Sequence, residues 1–248
     1  MRTEILSNGA KFIEDGSSSD VVIFLPGHTG VCDTSYHKVA QNALVPDLTS
    51  IILYESARDR DLLENWDHQK EMDSTTWGNA FYNKGFDDEV DEVARFIENV
   101  AQRYDSVSLS GYSFGGAVAV ALMGRKELGI KRVMLTAPQI GLHEVARLQD
   151  LPVLYGGFPS ARQFANLAGG FTGEVRLFHG EVDHIVPVSC SKLIYDSLRT
   201  DKKQLVVVEG MGHGFYVNPF GLSLYEQLTR AFSFGDFQSG SFFAKREK

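Results

Sequence analysis

The chain has 248 residues, of which 43% are hydrophobic, 11% aromatic and 23% charged. These are the proportions of a soluble globular domain long enough to bury most of its apolar surface. A net charge of −8 excludes a nucleic-acid binder that relies on a basic surface. No stretch of about 18 apolar residues is present to span a membrane. Cys32 and Cys190 are too few for a disulfide framework, and residues 1–9 hold no apolar signal core. A cytoplasmic, reduced protein is the expectation.

Segments 3–6 and 10–14 flank Asn8-Gly9, a favoured two-residue turn, and predict an N-terminal hairpin. Residues 20–25 are a near-continuous apolar run, as in a strand covered on both faces. The run ends in Pro26-Gly27-His28-Thr29-Gly30, and a helix is expected near 36–44. A second buried strand is predicted at 50–54. Residues 55–85 are polar and aromatic with weak periodicity, and read as a long excursion over the top of the sheet. Asp87 and Asp88 then suit a helix N-terminus. Val90, Val93, Ala94, Ile97 and Ala101 follow at helical spacing and give that helix one apolar face.

Further strands are predicted at 107–110, 131–136, 174–178 and 204–208, with helices after the first through about 125, near 189–198, and over 221–234. Residues 138–172, rich in proline and glycine with short helical pieces, read as a small cap or lid. The tail, 235–248, is expected to be loose. Its phenylalanines either lie on the chain's own surface or form a dimer contact, so monomer and homodimer both stay open. Strands alternating with helices predict one α/β domain over 1–248. Its sheet is mostly parallel and doubly wound, with right-handed crossovers and helices on both faces.

In such sheets the chemistry sits at the carboxyl ends of the strands. Gly111-Tyr112-Ser113-Phe114-Gly115 lies between a strand and a helix, where the backbone must turn sharply. Glycines two residues before and two after the serine remove the clash that side chains would cause. The serine hydroxyl is left at the positive end of the helix, where developing negative charge is favoured. A serine needs a base, and a histidine can both take its proton and return it to a leaving group. A carboxylate on the other ring nitrogen fixes the tautomer and stabilises the imidazolium. Ser113, Asp183 and His213 stand at three strand ends in the chain order such sites use, and are assigned as nucleophile, acid and base. Backbone N–H groups of Phe114 and of either His28 or Thr29 are expected to form an oxyanion hole. Thr29 and Tyr112 are candidates for lining the substrate site.

Competing readings exist for each residue. Asp183 could cap the helix that follows it. His213 could be an exposed turn residue between glycines. His179 and His184 bracket the acid and read as structural. Cys32 has no base assigned to it and Cys190 falls in a helix, so both read as buried or pocket-lining. No His or Cys pair has metal-ligand spacing, and neither metal nor cofactor is expected.

The chain resembles small α/β-hydrolases of the carboxylesterase, dienelactone hydrolase and thioesterase type over nearly its whole length. The likeness is carried by Pro26-Gly27-His28-Thr29-Gly30, Gly111-Tyr112-Ser113-Phe114-Gly115-Gly116, His179-Gly180-Glu181-Val182-Asp183 with Pro187, and Gly212-His213. It implies that the second oxyanion donor is the N–H of His28. Two departures stand out: Pro26-Gly27 replaces the usual His-Gly pair, and Glu55-Ser56-Ala57-Arg58-Asp59 replaces an Arg-Gly-x-Gly-x-Ser turn. The expected activity is hydrolysis of a carboxylic ester of a small to medium, fairly apolar substrate through an acyl-enzyme on Ser113. The same residues would serve a thioesterase or a C–C bond hydrolase. A ligand-binding receptor that retains the site with little turnover is the alternative from another class. The expected partner is a small-molecule ester.

Overall fold

The computed structural model describes residues 2–5, 11–14, 19–27, 50–54, 85–140, 158–215, 219–233 and 239–245. The Asn8-Gly9 turn, the helix expected near 36–44, most of the 55–85 excursion and residues 141–157 of the expected cap lie outside them. The strands are β1 (Arg2–Ile5), β2 (Lys11–Glu14), β3 (Asp20–Leu25), β4 (Ser50–Leu53), β5 (Ser106–Tyr112), β6 (Arg132–Thr136), β7 (Glu174–Gly180), β8 (Lys203–Val208) and β9 (Gly240–Ala244). The α-helices among the described residues are α1 (Phe86–Ala101), α2 (Phe114–Met123), α3 (Ala161–Gly169), α4 (Val188–Ser197) and α5 (Pro219–Ser233).

The nine strands among the described residues share one sheet, in the order β1-β2-β4-β3-β5-β6-β7-β8-β9. The β1–β2 hairpin adds antiparallel to β4, and β3 to β9 run parallel to their neighbours. Alternation along the strands explains why both faces are covered. Val21, Ile23, Leu25, Val107, Leu109, Val133, Leu135, Val175 and Leu177 enter the core under α1 to α4. Val22, Phe24, Met134, Phe178, Val206 and Val208 point the other way, towards Tyr225, Leu224 and Leu228 of α5. The chain steps from β3 to β4 and then returns to place β5 on the other side of β3. That reversal opens a crevice at the carboxyl ends of β3 and β5.

The local signals for a helix after Asp87 are matched, except that Ala101, expected on its apolar face, is exposed and Val100 is buried instead. In α1, Phe86, Val90, Val93, Ala94, Ile97 and Val100 form the buried stripe, and Asp88 accepts a hydrogen bond from the Gly85 N–H at its start. Every residue of α2 is buried, which its Gly, Ala and Val content permits.

Two segments differ from the sequence reading. Residues 158–172 of the expected cap belong to the body: Ser160 and Gln163 cap α3, and Phe164 and Ala168, one turn apart, are fully buried beneath it. In the tail expected to be loose, Gly240–Ala244 pairs in register with Gln204–Val208 as edge strand β9. In sequence, Gly-Ser-Phe-Phe-Ala does not alternate apolar with polar residues, and the strand, whose exposure alternates along it, is set by pairing with the edge of β8. Among the described residues no helix is long and apolar enough to cross a membrane.

Candidate active site

β5 ends at Tyr112 and α2 begins at Phe114, so Ser113 alone makes the turn between strand and helix. It does so with φ 53° and ψ −115°, outside the regions that L-residues favour. Three backbone hydrogen bonds hold it there. The Ser113 N–H donates to Thr136 O at 2.9 Å, and its carbonyl accepts from Gln139 N at 3.0 Å and Ala117 N at 3.2 Å. The glycines around it are required by space. A Cβ on Gly115 would lie 2.3 Å from the Leu25 carbonyl oxygen, and one on Gly111 would lie 2.5 Å from that of Gly115. The same packing brings the end of β3 to the serine, with a Cβ on Gly27 only 3.3 Å from Ser113 Cβ.

Asp183 follows β7 and His213 follows β8, in two loops that are tied together. Val182 N–H donates to Met211 O at 3.1 Å, and Gly210 N–H donates to the Glu181 carboxylate, also at 3.1 Å. A side chain at Gly180 would lie 2.1 Å from Met211 O, so the close approach depends on that glycine. The result is a continuous chain of polar contacts. Ser113 Oγ lies 3.1 Å from His213 Nε2, and His213 Nδ1 lies 2.7 Å from Asp183 Oδ2. Asp183 Oδ1 accepts from Ile185 N at 2.9 Å and Val186 N at 2.8 Å. Asp183 does not cap the helix that follows, whose N-cap is Pro187 with no side-chain hydrogen bond; one of its oxygens holds the loop amides and the other faces the histidine.

The electrostatics favour an ionised Asp183. Burial, the largest influence, pushes its pKa up. Contacts with His179 and His213, the His213 charge and the Val186 amide together outweigh it and hold the carboxyl well below the usual range. Tyr112 secures the histidine from behind. Its ring stacks on His213 at 5.1 Å between centroids, and its hydroxyl donates to the His213 carbonyl at 3.1 Å. Phe114 is buried and meets Phe86 edge to face at 5.9 Å, which anchors the start of α2.

Ser113, Asp183, His213, Phe114 and Tyr112 thus converge on one end of the sheet. His28, Thr29 and Cys32 lie outside the described residues. His184 is exposed and Cys190 is buried in α4. Sequence reading missed two contacts: the Tyr112 ring on His213, and His179, wholly buried, with Nε2 3.4 Å from Asp183 Oδ2. The i,i+4 spacing of His179 and Asp183 was the available signal for the second. A separate cavity of about 660 Å³, lined by Ser106, Arg132 and Glu174 among others, opens at the opposite, amino ends of β5, β6 and β7. Among the described residues no cluster of His, Cys, Asp and Glu could hold a metal ion.

No protein-family model matches the sequence, and no curated protein matches it. Solved structures do match in shape. Est1E from Butyrivibrio proteoclasticus, in a structure with ferulic acid bound, is 15% identical with a TM-score of 0.66, over 95% of this chain and 99% of that one. Dienelactone hydrolase from Anabaena variabilis ATCC 29413 is 14% identical with a TM-score of 0.61, over 96% and 99%. A monoacylglycerol lipase from Paleococcus ferrophilus is 12% identical with a TM-score of 0.60, over 92% and 96%. With seven parallel strands, a reversal of strand order at β3 and a serine on the turn after β5, the chain has the α/β-hydrolase fold.

Proposed function

We propose that the protein is a serine hydrolase that cleaves a carboxylic ester through an acyl-enzyme on Ser113. The observation that carries this reading is the unbroken contact chain from Ser113 Oγ through both nitrogens of His213 to Asp183, at 3.1 Å and 2.7 Å. Asp183 Oδ2 accepts the Nδ1–H of His213, so Nε2 is left as the acceptor for the serine proton. As Ser113 Oγ attacks the ester carbonyl, that proton passes to Nε2. The carbonyl oxygen, now negative, is stabilised by the N–H groups of Phe114 and His28. His213 then gives the proton to the leaving alcohol. A water molecule, deprotonated by the same nitrogen, attacks the acyl-enzyme; the bond to Ser113 Oγ breaks, the acid is released, and His213 returns the proton to Oγ.

The place of Gly27 against Ser113 supports the second donor, since His28 is the next residue. A small to medium, fairly apolar substrate fits the aromatic residues of 54–86. It also fits the ferulic acid, dienelactone and monoacylglycerol in the names of the structures reported above.

The test is labelling with a fluorophosphonate together with turnover of short p-nitrophenyl esters. Wild-type protein should label and turn over, and Ser113→Ala should lose both, with kcat reduced by about 10⁶-fold. Folded wild-type protein that neither labels nor hydrolyses any ester of the panel would overturn the reading.

A further inference from the structure

Behind Asp183 lies a second histidine that the acyl-transfer cycle does not use. The His179 side chain is 0% exposed, as is that of Asp183. Its Nε2 is 2.8 Å from the Val186 carbonyl oxygen, which takes the hydrogen bond, and 3.4 Å from Asp183 Oδ2, a longer electrostatic contact. Its Nδ1 is 2.7 Å from the hydroxyl of Ser191, itself fully buried on α4. Val186 is held from two sides, since its N–H donates to Asp183 Oδ1 at 2.8 Å.

These contacts decide where the ring hydrogen sits. A carbonyl and a carboxylate both face Nε2, and neither has a proton to give, so Nε2 carries the hydrogen. Ser191 is the one partner that can either donate or accept. With Nε2 holding that hydrogen, Nδ1 accepts the one from the Ser191 hydroxyl. The charged and titratable groups facing His179 among the described residues are Asp183 and, beyond it, His213.

We propose that His179 and Ser191 form a positioning pair for the acid. Ser191 fixes His179 as the Nε2–H tautomer, and His179 pins Val186 and the Asp183 carboxylate so that Oδ2 stays aimed at His213 Nδ1. The pair acts through Asp183 and touches no substrate, so its loss should appear in kcat and leave KM unchanged. The proposal rests on the acyl-transfer reading of Ser113, and its test separates the two.

The first measurement is the nitrogen-15 spectrum of the imidazoles in resting wild-type protein, which requires no activity. His179 should show a directly bonded hydrogen on Nε2 and none on Nδ1. A hydrogen on Nδ1 would overturn the assignment. The second is kcat per phosphonate-titrated site, which removes any misfolded fraction. His179→Phe, with no donor, should lose about 10- to 100-fold, as small misplacements of a reacting group do. His179→Gln, which can still present an N–H to Val186, should recover part of that loss. Ser191→Ala should lose about fivefold, the equivalent of one hydrogen bond, and serves as the test if His179→Phe does not fold. Equal kcat per site in the wild type and Ser191→Ala, or no advantage of His179→Gln over His179→Phe, would overturn the positioning role alone. Wild-type protein that neither labels nor turns over would instead overturn the acyl-transfer reading, with the tautomer still decided by the spectrum.

Discussion

Asp183→Asn replaces one buried oxygen by an amide nitrogen and should stop catalysis while leaving the fold in place. The geometry dictates which way the amide faces. Oδ1 accepts two backbone N–H groups at 2.9 Å and 2.8 Å, so only the asparagine oxygen can occupy that position. The NH₂ group is then left 2.7 Å from His213 Nδ1. Being a donor, it forces Nδ1 to accept and moves the ring hydrogen to Nε2, which faces Ser113 Oγ at 3.1 Å. A protonated Nε2 cannot take the serine proton. A carboxylate-to-amide change with this tautomeric consequence costs about 10⁴ in kcat, equivalent to about 5.4 kcal/mol of transition-state stabilisation. Initial rates on a p-nitrophenyl ester, normalised to folded protein by thermal melting, measure the effect. Activity within about tenfold of wild type would refute the argument, because losing the correct tautomer must cost more than that.

Other perturbations probe the supports of the site. Asp183 should make the protein acid-sensitive in a defined direction. Its carboxyl in the folded state is held below its ordinary value, so between the two values the unfolded chain binds the extra proton. The stabilisation is complete above the ordinary carboxylate pKa of about 3.9 and fades as pH falls below it. Urea melts from pH 5 to 3 should therefore decline more steeply for the wild type than for Asp183→Asn, and parallel curves would contradict this. Gly115→Ala places a Cβ 2.3 Å and 2.4 Å from two carbonyl oxygens of the main chain, which no rotamer change can relieve. It should destabilise by about 3 kcal/mol, the upper end of overpacking costs. Gly212→Ala, with nothing within 4 Å, should stay within about 1 kcal/mol, and equal losses in denaturant melts would refute the steric account. Tyr112→Phe removes a hydroxyl whose acceptor, the His213 carbonyl, keeps the Phe215 N–H at 3.1 Å. It should cost about 1 kcal/mol or less. Tyr112→Ala also removes the stacked ring and should lower kcat further, so equal kcat in the two variants would show that the ring does not position the base.

The parts of this molecule legible in the sequence were those whose signal is local. Apolar runs at 20–25 and 204–208, the stripe Val90, Val93, Ala94 and Ile97, and the glycines at 111 and 115 each state their conformation within a few residues. That Ser113, Asp183 and His213 would lie together was legible because each stands just after a strand, and parallel strands bring such ends to one side of the sheet. Contacts between distant segments were not. Residues 240–244 become a strand only because β8 presents an unpaired edge. Residues 161–169 read as part of a cap because the burial of Phe164 and Ala168 against the body is a tertiary fact. The Tyr112 ring on His213 joins residues 101 positions apart, with no local pattern to announce it.

The central claim is that Ser113 is the nucleophile, and covalent labelling tests it most directly. The protein is treated with a fluorophosphonate, digested, and the modified residue located by mass spectrometry, with Ser113→Ala treated in parallel. The account predicts one adduct on Ser113 in the wild type and none in the variant. An adduct on another residue, or the same extent of labelling in Ser113→Ala, would contradict it.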